Sequence, residues 1–120
     1  MLIKQKDRII VPKGWGWEDW IYNGEKYCGK RLFFHQYKEC SWHYHVIKDE
    51  VLYLQSGKIV LHYSNMDELC VSAKITLYPN DAFHILPEIR HKMYAEEESV
   101  IIEFSTHHED SDSYRIFKGD

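Results

Sequence analysis

The chain has 120 residues, with 19 acidic and 15 basic side chains and a formal charge of −4, a length that fits one compact domain around one core. A mild negative charge without any basic stretch argues against nucleic acid and anionic membranes as partners, and no apolar run approaches the ~18–20 residues needed to span a bilayer. No charged-then-apolar leader follows Met1, and the three cysteines, Cys28, Cys40 and Cys70, are odd in number with no C-x-x-C spacing, so free thiols in a reducing cytoplasm are expected.

Taken along the chain, nearly every segment reads as strand. Residues 1–14 form an arm whose run Ile9-Ile10-Val11-Pro12 suits an edge strand, and an edge strand invites pairing with a second copy, hence an expected homodimer. Trp15, Trp17 and Trp20 read as a lid packed on one end of the domain, with carbohydrate stacking by one of them as the functional alternative. Lys30, Arg31 and Lys92 read as solvated surface, or else as contacts for a phosphate or carboxylate. Strands are predicted over residues 32–37, 42–45, 51–55 and 58–63, the last two joined by a tight turn at Ser56-Gly57. After the polar loop 64–68, a strand is expected over 69–77. Tyr78-Pro79-Asn80-Asp81 has turn chemistry. Further strands follow over 82–86, 90–95 and 99–105, with Glu96-Glu97-Glu98 as a solvated turn. The polar tail 106–120 offers only a short helix over 110–118. Short strands at nearly even spacing point to an all-β antiparallel barrel or sandwich.

The chain has eight histidines, and their placement matters more than their number. His43 and His45 lie in one predicted strand, where side chains alternate, so both imidazoles share a face, roughly 7 Å apart along the chain. Glu50 follows across a brief bend, and His91 heads a later strand after the turn 87–90. Together they offer a metal three imidazoles and one carboxylate. His62 and His84 read as partly exposed strand residues, the side of His35 is not decided by parity, and His107 and His108 fall in the polar tail. Glu103 is a charge inside an apolar strand, either lining a cavity as a base or facing water. Lys48 is the second candidate base.

The spacing His-x-His-x4-Glu-x6-Gly, met by His43, His45, Glu50 and Gly57, resembles the first motif of the cupins. Pro79-Asn80-Asp81 through Leu86-Pro87-Glu88-Ile89-Arg90-His91 is similar to the second. The resemblance runs from about Trp15 to Ile116. It implies a jelly-roll barrel, a double-stranded β-helix, with His43, His45, Glu50 and His91 around one divalent transition metal (Mn, Fe, Ni, Co or Zn) and a small-molecule ligand inside. Three expected glycines fall instead at Tyr37, Asn80 and Glu88, and an expected Asn at Ala95. Asn80 can stand at a left-handed turn with modest strain. Glu88 fits one less readily, which points to a different loop shape before His91.

A narrower resemblance, carried by Gly14-Trp15-Gly16-Trp17-Glu18, Tyr27-Cys28-Gly29-Lys30-Arg31-Leu32, Ile102-Glu103-Phe104-Ser105-Thr106 and the Glu109-Asp110 and Tyr114-Arg115 that follow, is to the C-terminal cupin module of type II mannose-6-phosphate isomerases. It implies a sugar or sugar phosphate as ligand and aldose–ketose isomerisation as reaction. There the metal acts as a Lewis acid and a base, Glu103 or Lys48, takes the substrate proton. An iron- or manganese-dependent dioxygenase and a non-catalytic small-ligand-binding cupin are the alternatives. All three predict metal affinity that falls as pH drops through ~6–6.5, where free imidazoles protonate.

Overall fold

β-branched and aromatic runs, broken by Gly, Asn and Pro turns, build eleven strands in this computed structural model, which describes residues 1–120. In chain order they are β1 (Ile9–Lys13), β2 (Gly16–Asn23), β3 (Cys28–Phe34), β4 (Trp42–His45), β5 (Glu50–Ser56), β6 (Ile59–Ser64), β7 (Ala73–Leu77), β8 (Ala82–Ile85), β9 (Arg90–Ala95), β10 (Ser99–Ser105) and β11 (Ser113–Phe117). Single 3₁₀ turns occupy Gln5–Asp7, Leu69–Val71 and Asp110–Asp112. No helix is long and apolar enough to cross a membrane. The strands form two antiparallel sheets, ordered β1-β2-β3-β10-β5-β8 and β11-β4-β9-β6-β7.

Alternation decides what each strand buries. β5 turns Glu50, Leu52 and Leu54 inward, β9 turns His91, Met93 and Ala95, β10 turns Ser99, Ile101 and Glu103, and β3 turns Cys28, Lys30, Leu32 and Phe34. Antiparallel pairing brings the polar ends of these strands together, so the interior has two halves. One is an apolar core of 13 residues that includes Phe34, Leu52, Leu54, Ile59, Leu61 and Ile101, each such side chain contributing about 1.5–3 kcal/mol by leaving water. The other half is charged and carries Lys30, His45, Lys48, Glu50, His91 and Glu103.

Strands β4, β9 and β10 begin and end where their sequence predicts. The strand expected over 32–37 starts earlier, at Cys28, and stops at Phe34, and 69–77 opens with a 3₁₀ turn before β7. The three tryptophans do not form an end lid. Trp17 and Trp20 belong to β2, with Trp17 stacked outside on Phe33, while Trp15 stacks on Phe34 within the core. Nor does the tail form a helix over 110–118. After one 3₁₀ turn it becomes β11, paired along β4. β1 sits at the outer edge of its sheet, as its sequence suggests, and Arg8 ties the arm to β2 through two bonds to the buried Asp19, at 2.9 and 2.7 Å.

Three side-chain-bearing residues adopt the left-handed conformation: Tyr37 (φ 66°), Asn80 (φ 79°) and Glu88 (φ 72°). These are the three positions where the cupin motifs expect glycine. The loop before His91 therefore keeps a glycine-type turn despite Glu88. The left-handed region costs an L-residue about 1–2 kcal/mol, and each turn is held by a backbone bond: Tyr37 N–H to Ala95 O at 2.7 Å, Asn80 N–H to Leu54 O at 2.8 Å and Glu88 N–H to His45 O at 2.6 Å.

Candidate metal centre

β4 presents His43 and His45 on its inner face, and the register places His91 of β9 directly opposite His43. The ring centroids lie 5.0 Å (43–45), 4.4 Å (43–91) and 5.7 Å (45–91) apart, and one nitrogen from each ring falls within 4.8 Å of the others. In every ring Nδ1 faces a backbone carbonyl: His43 to Ser41 O at 2.8 Å, His45 to Asp112 O at 3.1 Å, His91 to Ile89 O at 2.9 Å. A carbonyl can only accept, so Nδ1 carries the proton and Nε2 is left with a free lone pair, the tautomer a metal ligand needs.

Glu50, the first residue of β5, lies beside two of the three imidazoles, outside the tight cluster itself. Its Oε2 is 3.4 Å from His45 Nε2 and its Oε1 is 3.7 Å from His91 Nε2. Oε2 is fully buried and has no hydrogen-bond partner, since Lys48 Nζ at 3.4 Å lacks the alignment. A buried carboxylate with one oxygen free of hydrogen bonds, next to the bare Nε2 atoms of His45 and His91, fits a cation. The bend between His45 and Glu50 is fixed by Asp112, whose carboxylate accepts the N–H groups of Val46 (2.9 Å), Ile47 (3.1 Å) and Lys48 (3.0 Å).

The cluster faces a cavity of about 510 Å³ with a largely polar lining. Lys48 and Glu103, the two candidate bases, both line it and pair with each other, Nζ to Oε2, at 3.1 Å. Ser105 Oγ donates to the same Glu103 oxygen at 3.0 Å. His108, assigned by sequence to the polar tail, is buried here instead. Its Nδ1 lies 3.1 Å from Lys48 Nζ and its Nε2 2.9 Å from Asp110 Oδ1. Lys30, read as solvated surface, is buried as well and lines the cavity, because β3 turns it into the charged half. Both could have been found only by phasing β3 and the segment after β10 against the other strands.

The remaining histidines lie elsewhere. His35 packs edge-on against Trp17 and Phe33 outside the barrel, His62 approaches Ser72 Oγ at 3.4 Å, His84 is exposed 2.6 Å from Asp49 Oδ1, and His107 contacts Gly24 O at 2.8 Å. Arg31 joins Asp19 at 3.2 Å and Lys92 joins Glu39 at 2.9 Å.

Burial sets the protonation of the site. It lowers His45 and His91 to about 3 and His43 well below its ordinary value, so the imidazoles are neutral near pH 7. Burial, reinforced by the charge of Glu103, raises Glu50 to about 7. At Glu103 burial is outweighed by the ammoniums of Lys48 and Lys30, and its pKa falls to about 2. At Lys48 burial is outweighed by Glu103 and Glu50, which hold it charged. Burial pushes the Cys40 thiol, also on the cavity wall, up to about 12, so it is a neutral thiol in the metal-free protein.

No protein-family model matches the sequence, and no curated protein matches it. Solved structures do match the fold. An RmlC-like cupin from Shewanella frigidimarina superposes with a TM-score of 0.75 at 14% identity, covering 91% of this chain and 92% of that one. KdgF from Halomonas sp. gives 0.68 at 19%, covering 79% and 81%. The capsular polysaccharide assembling protein CapF from Staphylococcus aureus gives 0.77 at 14%, covering 90% of this chain but 34% of CapF. A Bacillus subtilis oxalate decarboxylase variant gives 0.81 at 12%, again spanning 31% of the longer chain. At these identities the likeness establishes the fold, the cupin barrel.

Proposed function

We propose that this chain, a cupin by fold, is a metal-binding protein of small hydroxylated ligands, a sugar or sugar phosphate, and that its reaction is aldose–ketose isomerisation. The observation that carries the reading is the convergence of three neutral imidazole Nε2 atoms and the unpartnered Glu50 Oε2 on one wall of a polar cavity. His43, His45, His91 and Glu50 would hold a divalent ion, and Mn, Fe, Co, Ni and Zn all accept that donor set. When bound, such an ion supplies Lewis acidity to a substrate oxygen. Lys48, kept charged by its carboxylate neighbours, stabilises negative charge that develops on that oxygen. Glu103 holds Lys48 in place. If the substrate oxygen takes over the ammonium's bond, Glu103 regains basicity and becomes the acceptor for a proton leaving carbon. A carbohydrate ligand is also in keeping with one structural neighbour, described as assembling a capsular polysaccharide.

Elemental analysis of the purified protein, followed by coupled isomerase assays of the metal-loaded form, tests this. Turnover of mannose 6-phosphate, fructose 6-phosphate or a free pentose or hexose is expected, with its loss in His45→Ala. No turnover of any of them would overturn the isomerase reading. Bound iron with substrate-dependent oxygen uptake would put a dioxygenase in its place, and ligand binding without turnover a binding module.

A further inference from the structure

Two lysines point into the charged half of the barrel, and one is matched less fully than the other. Lys48 meets Glu103 Oε2 and His108 Nδ1, each at 3.1 Å. Lys30 is just as buried, 1% exposed, yet its single acceptor is Glu18 Oε1 at 3.4 Å. That oxygen already takes the Trp20 indole N–H at 2.9 Å. The Trp20 ring, 4.4 Å from Nζ, offsets part of the cost of burying the charge, but an ammonium has three donors, and those without acceptors are costly away from water. Lys30 lines the same 510 Å³ cavity as the histidine cluster, a size within the range of about 300–1,000 Å³ for small-molecule sites.

The charge balance of the cavity points the same way. Lys13, Lys30, Lys48 and Arg115 supply four cationic side chains to its wall. Glu18, Glu50, Glu103 and Asp110 supply four carboxylates. With a divalent ion in place the wall carries an excess of two positive charges, which an anionic ligand would neutralise and a neutral sugar would not.

We propose that the cavity takes a small hydroxylated organic anion whose carboxylate or phosphate is held by Lys30 Nζ, with its hydroxyl end toward His43, His45 and His91. This rests on the metal reading above and narrows it: the ligand is the charged member of its class, and Lys30 is the residue that selects it.

The test is calorimetric titration of the Mn(II)-loaded protein with D-glycerate, glycerol 3-phosphate and glycerol. At least one anion should bind more tightly than glycerol by about tenfold or more, and more tightly to loaded than to metal-free protein; the tighter of the two identifies the anionic group as carboxylate or phosphate. Lys30→Met should lower anion affinity by about tenfold while leaving Mn(II) affinity within about threefold, and Lys30→Arg should restore part of the loss. Because Lys30→Met removes an ion-pair partner of Glu18, the double variant Lys30→Met/Glu18→Gln, which removes both charges, provides the same comparison with the net charge of the interior unchanged. If none of Mn(II), Fe(II), Co(II), Ni(II) and Zn(II) binds, the metal reading falls and this inference with it. If one of them binds but glycerol matches the anions, or the Lys30 variants keep full anion affinity, this inference alone is overturned.

Discussion

Burial acts in opposite senses on the ligands of the candidate centre, stripping protons from His45 and His91 and putting one on Glu50. Free imidazoles would tie metal affinity to pH ~6–6.5 and to as many as three protons. With His45 and His91 at about 3 and Glu50 at about 7, the competing proton is a single one, on the carboxylate. Metal uptake at pH 6 should therefore release about one proton and at pH 8 almost none, with affinity falling about tenfold per pH unit below 7. Calorimetry in two buffers of different ionisation enthalpy measures the proton count directly; release of two or three at pH 6 would mean that the imidazoles titrate after all. At this scale the sequence was informative where ligands share one strand, because alternation alone aligns His43 with His45. It could not reveal Lys30 or His108, whose inward facing depends on registers between strands far apart in the chain.

Among the elements, the segment after β10 does more for the site than its composition suggests. Asp112 accepts three consecutive backbone N–H groups across the bend from His45 to Glu50, and its carbonyl orients His45. Asp112→Ala should loosen that bend and weaken metal binding about 10–100-fold, as for other groups that orient ligands. Titration of the variant against a competing chelator, with circular dichroism to confirm an intact fold, checks this; unchanged affinity would show that the bend holds itself. The elements that sequence identified best, β4, β9 and β10, border the site or run between apolar neighbours. It missed β2 and β11. In β2 the usual contrast between buried apolar and exposed polar residues fails, because Glu18 lines a charged cavity and Trp20 packs against Lys30 and His108, while Asp19, on the other face, is buried beneath Arg8. β11 is short and mostly exposed, and only its pairing with β4 makes it a strand.

For the molecule as a whole, the charged half of the barrel predicts how the metal-free protein meets acid. An imidazole at about 3 in the folded state and ~6.5 unfolded contributes stability that is complete above pH ~6.5 and is lost as pH falls toward 3, about 2 kcal/mol by pH 5 for each of His45 and His91. His43 adds in the same sense. Glu50, raised to about 7, opposes them: its contribution is complete below pH ~4.5 and is lost as pH rises through 7. The histidines outnumber it, so urea midpoints of the metal-free protein should fall from pH 7 to pH 5; a flat or rising profile would contradict the buried neutral imidazoles. The left-handed turns at Tyr37 and Glu88 bear on heat tolerance in another way. Both side chains are exposed and neither lines the cavity. Glycine there would relieve about 1–2 kcal/mol of backbone strain at each turn, less what a freer unfolded chain takes back. The barrel thus has two positions where it can be made more robust without altering an atom of the chemistry it encloses.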